Sequence, residues 1–79
     1  MQKIKREYFI IDTVITELIK KFDFGNKIKT VFKCKSKKCG SRLCIIWSNP
    51  NIKVGDNIEM KGFFSGETFI AQSLFIKKH

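Results

Sequence analysis

The chain has 79 residues, a formal net charge of +9 and 43% hydrophobic residues, among them eight phenylalanines and one tryptophan. A chain of this length buries only about 60% of its unfolded surface, so a deep cleft between domains is excluded. No apolar run approaches the ~18 residues that cross a bilayer, so we expect no membrane partner. We predict one folded domain over residues 1–79, with residues 1–7 and 78–79 flexible.

The location of the protein is predicted from two weaker signals. The apolar run at residues 8–11 is too short for the core of a signal peptide, and no small-residue cleavage site follows it. The three cysteines, Cys34, Cys39 and Cys44, are an odd number without C-x-x-C spacing, which favours reduced thiols. We therefore expect an intracellular protein of the cytoplasm or nucleus.

Nearly all of the excess positive charge lies in one third of the chain. Residues 20–42 hold nine lysines and arginines against Asp23 alone, whereas residues 1–19 are neutral and residues 43–79 carry +1. Clustered positive charge of this kind is typical of a surface that binds a polyanion. The alternative is a lysine-rich composition that only keeps the protein soluble, but a general bias would not leave both flanks nearly neutral.

The first element, residues 8–24, is ambiguous between helix and strand. Val14, Ile15, Leu18, Ile19 and Phe22 fit a helical stripe. The segment is also dense in β-branched residues, which favours a strand. We prefer a long, curved first strand that ends at the turn Gly25-Asn26.

The second and third strands, at residues 27–35 and 42–47, form a hairpin. In the second strand lysines alternate with less polar residues, which predicts one buried and one cationic face. A three-residue loop at 38–40 would place Gly40 at the left-handed position that such loops require. The pairing would then set Lys33 against Ile45 and turn Trp47 towards the lysine face. A two-residue loop would instead turn Trp47 into the core.

The rest of the chain predicts two further strands. Pro50 interrupts the sheet, and strands at 57–64 and 67–77 flank a tight turn at Ser65-Gly66. Five strands without a strong interior helix predict an all-β fold, a small closed barrel with little or no helix between strands 3 and 4. We expect Phe22, Phe32 and Phe75 in its core.

The chain resembles the oligonucleotide/oligosaccharide-binding (OB) fold, a five-stranded Greek-key barrel. The similar stretches are LCIIWS at 43–48 and VGDNIEMKGFFSGETFIAQSLFI at 54–76. The ending Leu-x-x-x-Trp-small of the third strand is similar to archaeal single-stranded-DNA-binding proteins and replication protein A modules. In those proteins an aromatic residue on the third strand and one on the fourth stack on bases. The resemblance places these roles on Trp47 and Phe64.

Two sets of residues are candidates for binding nucleic acid. Lysines two residues apart on one face repeat every ~6.6–6.8 Å, which is close to the phosphate spacing of an extended single strand. Aromatic rings beside them would stack on bases, with Trp47 and Phe64 as the main candidates and Phe63 and Phe69 as additional ones. The basic set comprises Lys27, Lys29, Lys33, Lys35, Lys37, Lys38 and Arg42.

Metal binding and catalysis have little support in the sequence. A structural zinc site needs four ligands, and His79 is the one further ligand available to the three cysteines. The acidic residues are scattered, and no phosphate-binding loop or nucleophile motif is present. We predict no cofactor, no small-molecule substrate and no enzymatic activity.

The sequence thus favours a module that binds single-stranded DNA or RNA. Two alternatives stay open. One is a protein-interaction OB subunit of a larger nucleic-acid complex, with a protein partner or self-association. The other is a ribosome-associated or structured-RNA-associated factor.

Overall fold

A computed structural model describes residues 7–38 and 40–77, and these residues form a closed barrel of five strands without a helix. The all-β barrel predicted from the sequence is confirmed. Apart from Glu7, the residues expected to be flexible lie outside the described ranges. The strands are β1 (Phe9–Asp23), β2 (Ile28–Ser36), β3 (Gly40–Ile46), β4 (Asn57–Ser65) and β5 (Thr68–Ile76).

Strand β1 closes the barrel because it pairs with two neighbours along its length. Its first part, from Phe9 to Val14, pairs with β4, and its second part, from Val14 to Asp23, pairs with β2. The register with β2 shifts twice, around Thr16 and around Ile19, and such bulges increase the bend and twist of a strand. The preference for a long curved strand over a helix is therefore confirmed.

The strand order around the barrel is β1-β2-β3-β5-β4, and all neighbours are antiparallel except β3 and β5. Residues 47–56 connect β3 to β4 without a helix. Because β5 lies between these two strands in the barrel, this segment crosses over from one side of β5 to the other. Backbone hydrogen bonds fix this segment to β1. The amide of Gly55 donates to the carbonyl of Ile15 at 2.8 Å, and the amide of Ile15 donates to the carbonyl of Asp56 at 3.0 Å. Ile52 enters the core from it. The described residues include no helix that could span a membrane.

The core follows the two-residue alternation of the strands. Phe32 is fully buried, as predicted, but Phe22 is partly exposed and Phe75 is 67% exposed, so their assignment to the core is wrong. Phe22 lies opposite Lys29 where the β1-β2 hairpin nears its turn, and Phe75 lies opposite Glu59 on the outer face of β5. The buried core residues are Ile15, Phe32, Cys34, Cys44, Ile46, Ile52, Ile58, Met60, Phe69 and Ala71.

The β2-β3 hairpin differs from the predicted register by two residues. Lys33 pairs with Leu43 and not with Ile45, and the loop lies between Ser36 and Gly40. Gly40 has the positive φ of 68° that the loop was expected to require. A shift of two residues preserves the faces because side chains alternate with period two. The lysine face and the outward direction of Trp47 therefore agree with the prediction.

The backbones of β4 and β5 approach each other closely at Gly62. A Cβ atom at this position would lie 2.0 Å from the carbonyl oxygen of Ile70. The register shifts beside it, because Lys61 pairs with Ser73 while Gly62 pairs with Ala71, which leaves Gln72 unpaired on β5. The bulge is thus on β5, and β4 keeps a regular alternation with Phe63 outward and Phe64 inward.

Candidate nucleic-acid interface

Three aromatic rings form a partly exposed cluster beside the β1-β2 turn. We call Phe22, Phe24 and Trp47 the aromatic cluster. The rings of Phe22 and Phe24 are stacked at 6.4 Å between centroids, and Phe24 lies 5.8 Å from Trp47 at an angle of 33°. Phe24 is 56% exposed and Trp47 is 50% exposed. Exposed rings of this kind, two stacked and the third tilted, are a surface on which planar groups can stack.

The local sequence FDFGN explains the position of the two phenylalanines. Phe22 and Phe24 are two residues apart, so they lie on the same face of the chain. The turn that follows has Gly25 at φ 91°, and the Asp23 carboxylate accepts a hydrogen bond of 2.8 Å from the Gly25 amide. The amide of Phe24 donates to the carbonyl of Lys27 at 2.9 Å, which holds the second ring next to the start of β2.

Three lysines surround the aromatic cluster. The ammonium of Lys29 lies 5.5 Å from the centroid of Trp47 and 5.6 Å from that of Phe22. Lys27 is 5.6 Å from Trp47, and Lys20 is 5.0 Å from Phe22. These are cation–π distances. The cluster therefore combines ring surface with positive charge that a phosphate of the same ligand could contact.

Two grooves continue the surface on either side of Trp47. One, of about 360 Å³, lies between Trp47 and residues 25–28 and 48–49. The other, of about 410 Å³, runs from Trp47 across Ile70 to Phe63. Tyr8 contacts Phe63 edge-on at 6.0 Å. Phe63, and not Phe64, is thus the aromatic residue of β4 that shares a groove with Trp47.

The lysines of β2 lie on the outer face of the barrel, with Lys33 and Lys35 exposed. Lys33 is 4.0 Å from the carboxylate of Glu17, a surface ion pair between two largely exposed side chains. Lys37 and Lys38 are exposed at the tip of the β2-β3 hairpin. The predicted basic strand face is therefore present, and the charge of Lys33 is partly balanced by Glu17.

Three of the predicted binding residues lie off the outer basic face, with Phe69 buried and Phe64 and Arg42 half-buried. Phe69 is 0% exposed and belongs to the core, so its proposed stacking role is wrong. Phe64 packs against Phe69 at 5.0 Å and against Phe9 at 5.4 Å. The guanidinium of Arg42 lies 5.1 Å from the Phe64 ring and donates to the carbonyl of Glu67. Arg42 and Phe64 therefore support the barrel and do not belong to the outer basic face.

Phe22, Phe24 and Lys20 were not predicted as site residues. Phe22 was expected in the core because phenylalanines are most often buried. The signal for Phe22 is its position in FDFGN, where two phenylalanines two residues apart come directly before a glycine turn. Strands leave the core as they approach a hairpin turn, so side chains there are exposed. Lys20 pairs with Val31 and is brought to the cluster by the second bulge of β1.

Cys34 and Cys44 are buried free thiols on the inner face of the hairpin. A hydrogen bond between them lowers the pKa of Cys34, against the effect of burial, and raises the pKa of Cys44, which burial raises further. Cys39 lies outside the described residues. Within 7–38 and 40–77 no group of three or more histidine, cysteine or acidic residues is arranged to hold a metal ion.

Comparisons with known proteins give no match to this chain among protein-family models, curated proteins or solved structures.

Proposed function

We propose that this chain is a non-enzymatic module that binds single-stranded nucleic acid, DNA or RNA, and that its barrel is of the OB type. The observation that carries the proposal is the aromatic cluster with Lys20, Lys27 and Lys29 around it. The strand order, with its single parallel pair, supports the barrel type.

In this surface the aromatic rings would contact bases and the lysines would contact phosphates. Stacking of a base on an exposed ring contributes about 1–3 kcal/mol and tolerates any base, which fits a weak sequence preference. A base that stacks on Trp47 would displace the ammonium groups of Lys27 and Lys29 from the ring. These groups would then be free to contact the flanking phosphates, while Lys33 and Lys35 would continue the positive surface along β2.

Anisotropy of a labelled oligonucleotide tests the proposal. At ~50 mM salt, where phosphate contacts are strong, we expect micromolar binding of single-stranded DNA or RNA and weaker binding of a duplex, whose bases are not free to stack. Phe24→Ala should weaken single-strand binding, whereas Phe75→Ala, which removes an exposed ring outside the cluster, should not. Absence of binding, or equal effects of the two variants, would refute the proposal.

A second candidate is a protein-interaction subunit. It is favoured by large apolar side chains that are exposed outside the cluster, among them Ile10 on β1 and Phe75 on β5. Sedimentation velocity over a range of concentrations, with and without oligonucleotide, separates the two. Self-association that is weakened by Phe75→Ala would support the second candidate, and a monomer at all concentrations would count against self-association.

A further inference from the structure

The groove between Trp47 and the β1-β2 turn is lined by polar side chains as well as by the indole ring. Its volume is about 360 Å³, and Asn26, Ser48 and Asn49 belong to its lining. A ring alone accepts any base, whereas polar groups beside the ring distinguish bases by the donors and acceptors on their edges. The Ser48 hydroxyl and the Asn26 amide can each donate or accept a hydrogen bond, so selectivity depends on the other groups of the groove.

The side-chain amide of Asn49 is oriented by Lys21 of β1. The Lys21 ammonium donates a hydrogen bond to Oδ1 of Asn49, which connects β1 to the segment that follows β3. An ammonium group can only donate, so the amide oxygen must be the atom that faces it. The Nδ2 group of Asn49 has no hydrogen-bond partner among the described residues. Asn49 therefore offers a ligand a hydrogen-bond donor.

The backbone acceptors beside the groove already accept hydrogen bonds from within the chain. The Ser48 carbonyl accepts from the Thr30 hydroxyl at 2.7 Å, and the Lys27 carbonyl accepts from the Phe24 amide at 2.9 Å. The carboxylate of the turn, Asp23, is not part of the lining. The Lys27 ammonium can only donate. Donors are therefore in excess over free acceptors in this groove.

Nucleobases differ in the groups that their edges present. The keto oxygens of guanine, thymine and uracil accept hydrogen bonds, whereas the amino groups of adenine and cytosine donate them. We infer that the groove beside Trp47 prefers keto bases over amino bases, and that the Asn49 amide donates to the keto oxygen. This preference rests on the proposed function, because it requires a base stacked on Trp47. One hydrogen bond between neutral groups corresponds to a preference of about twofold to tenfold.

Pairs of oligonucleotides that differ in one exocyclic group test this preference. Pentanucleotides of uridine and of cytidine have the same backbone and ring size, and they differ in a keto or an amino group. Pentanucleotides of inosine and of adenosine differ in the same way. Because stacking on Trp47 takes place in all four, its emission reports binding at the site itself. At ~50 mM salt we expect a Kd about twofold to tenfold lower for uridine than for cytidine and for inosine than for adenosine.

Asn49→Asp makes the test specific to the amide. The substitution keeps an oxygen for Lys21 and replaces the donor Nδ2 by an acceptor, so the ratio of the two Kd values should fall to about one or below. The added negative charge should weaken binding of all four strands. Asn51→Asp adds the same charge to the same segment outside the groove and is the matched control, since it should keep the ratio of the unchanged chain.

The outcomes separate this preference from the proposed function. Binding of all four strands with equal affinity, or tighter binding of the amino bases, would overturn the preference and leave the proposed function standing. Equal ratios in Asn49→Asp and Asn51→Asp would overturn the role of Asn49. If none of the four strands binds, the proposed function is wrong and the preference with it.

Discussion

Trp47 follows directly after β3 and combines a large exposed ring with two lysines over it. Its outward direction results from the period of two in β3, in which Cys44 and Ile46 point inward. The sequence could predict this direction, because an error of two residues in the register leaves the Trp47 side chain on the same face of the sheet. It could not predict the contact with Phe24, which depends on the turn between β1 and β2.

Trp47→Ala should lower the affinity for single strands by about 1–3 kcal/mol, because one stacking surface is lost. The slope of log K against log salt should stay the same, since no phosphate contact is removed. Anisotropy of a labelled oligonucleotide at several salt concentrations measures both quantities. Phe75→Ala is the control, and a Trp47→Ala variant that binds as well as this control would contradict the stacking role.

Gly62→Ala should destabilise the barrel by about 1–3 kcal/mol, because a Cβ atom at this position would collide with the backbone of β5. For a chain of this size that is a large part of the total stability. Urea denaturation measures the change. Ser65→Ala, at the exposed end of the same strand, should stay within about 0.5 kcal/mol of the native chain. Equal midpoints for the two variants would show that β5 does not approach Gly62 so closely.

At the scale of the elements, β2 carries the positive face, and β1 ends with one of the three rings, Phe22, while Phe24 follows it in the turn. All five strands could be predicted because alternation and turn residues mark them. Two of the side chains that differ from prediction have separate causes, one a strand that passes beyond the barrel and the other a resemblance that was preferred to the alternation. Phe22 is an example of the first. Phe64 is an example of the second, since the period of β4 points it inward and turns Phe63 outward.

For single-strand binding, Lys29→Gln should reduce the steepness of the slope of log K against log salt by about 0.7. This is the change expected when one phosphate contact is lost. The affinity should fall alike for all sequences, because a phosphate contact carries no base information. Lys61→Gln, whose side chain lies between Ile10 and Ser73 and away from β2, is the control. A slope that changes equally in both variants would mean that binding follows net charge and not the face of β2.

At the scale of the whole molecule, one small closed barrel carries the aromatic cluster beside its β1-β2 turn. Closure leaves no open sheet edge, which protects a short chain from edge-to-edge association. The change of partner of β1 at Val14 could not be predicted from the sequence, because it depends on how the barrel closes.

Because the barrel is closed, we predict that Cys34 and Cys44 are protected from thiol reagents. Both are buried in the core, so alkylation should require opening of the barrel and proceed at least about a hundredfold slower than in urea. Mass spectrometry of peptides after timed alkylation measures each site separately. Rapid alkylation of both residues in the native protein would contradict the closed barrel.

The emission of Trp47 tests the central claim most directly, because it is the only tryptophan of the chain and lies in the aromatic cluster. The measurement is a titration with an unstructured oligonucleotide at ~50 mM salt, followed by emission and by anisotropy of the labelled strand in parallel. We predict a saturable change in emission with the same midpoint as the anisotropy. Binding detected by anisotropy while the Trp47 emission stays constant would contradict the account, as would the absence of any binding at micromolar concentration.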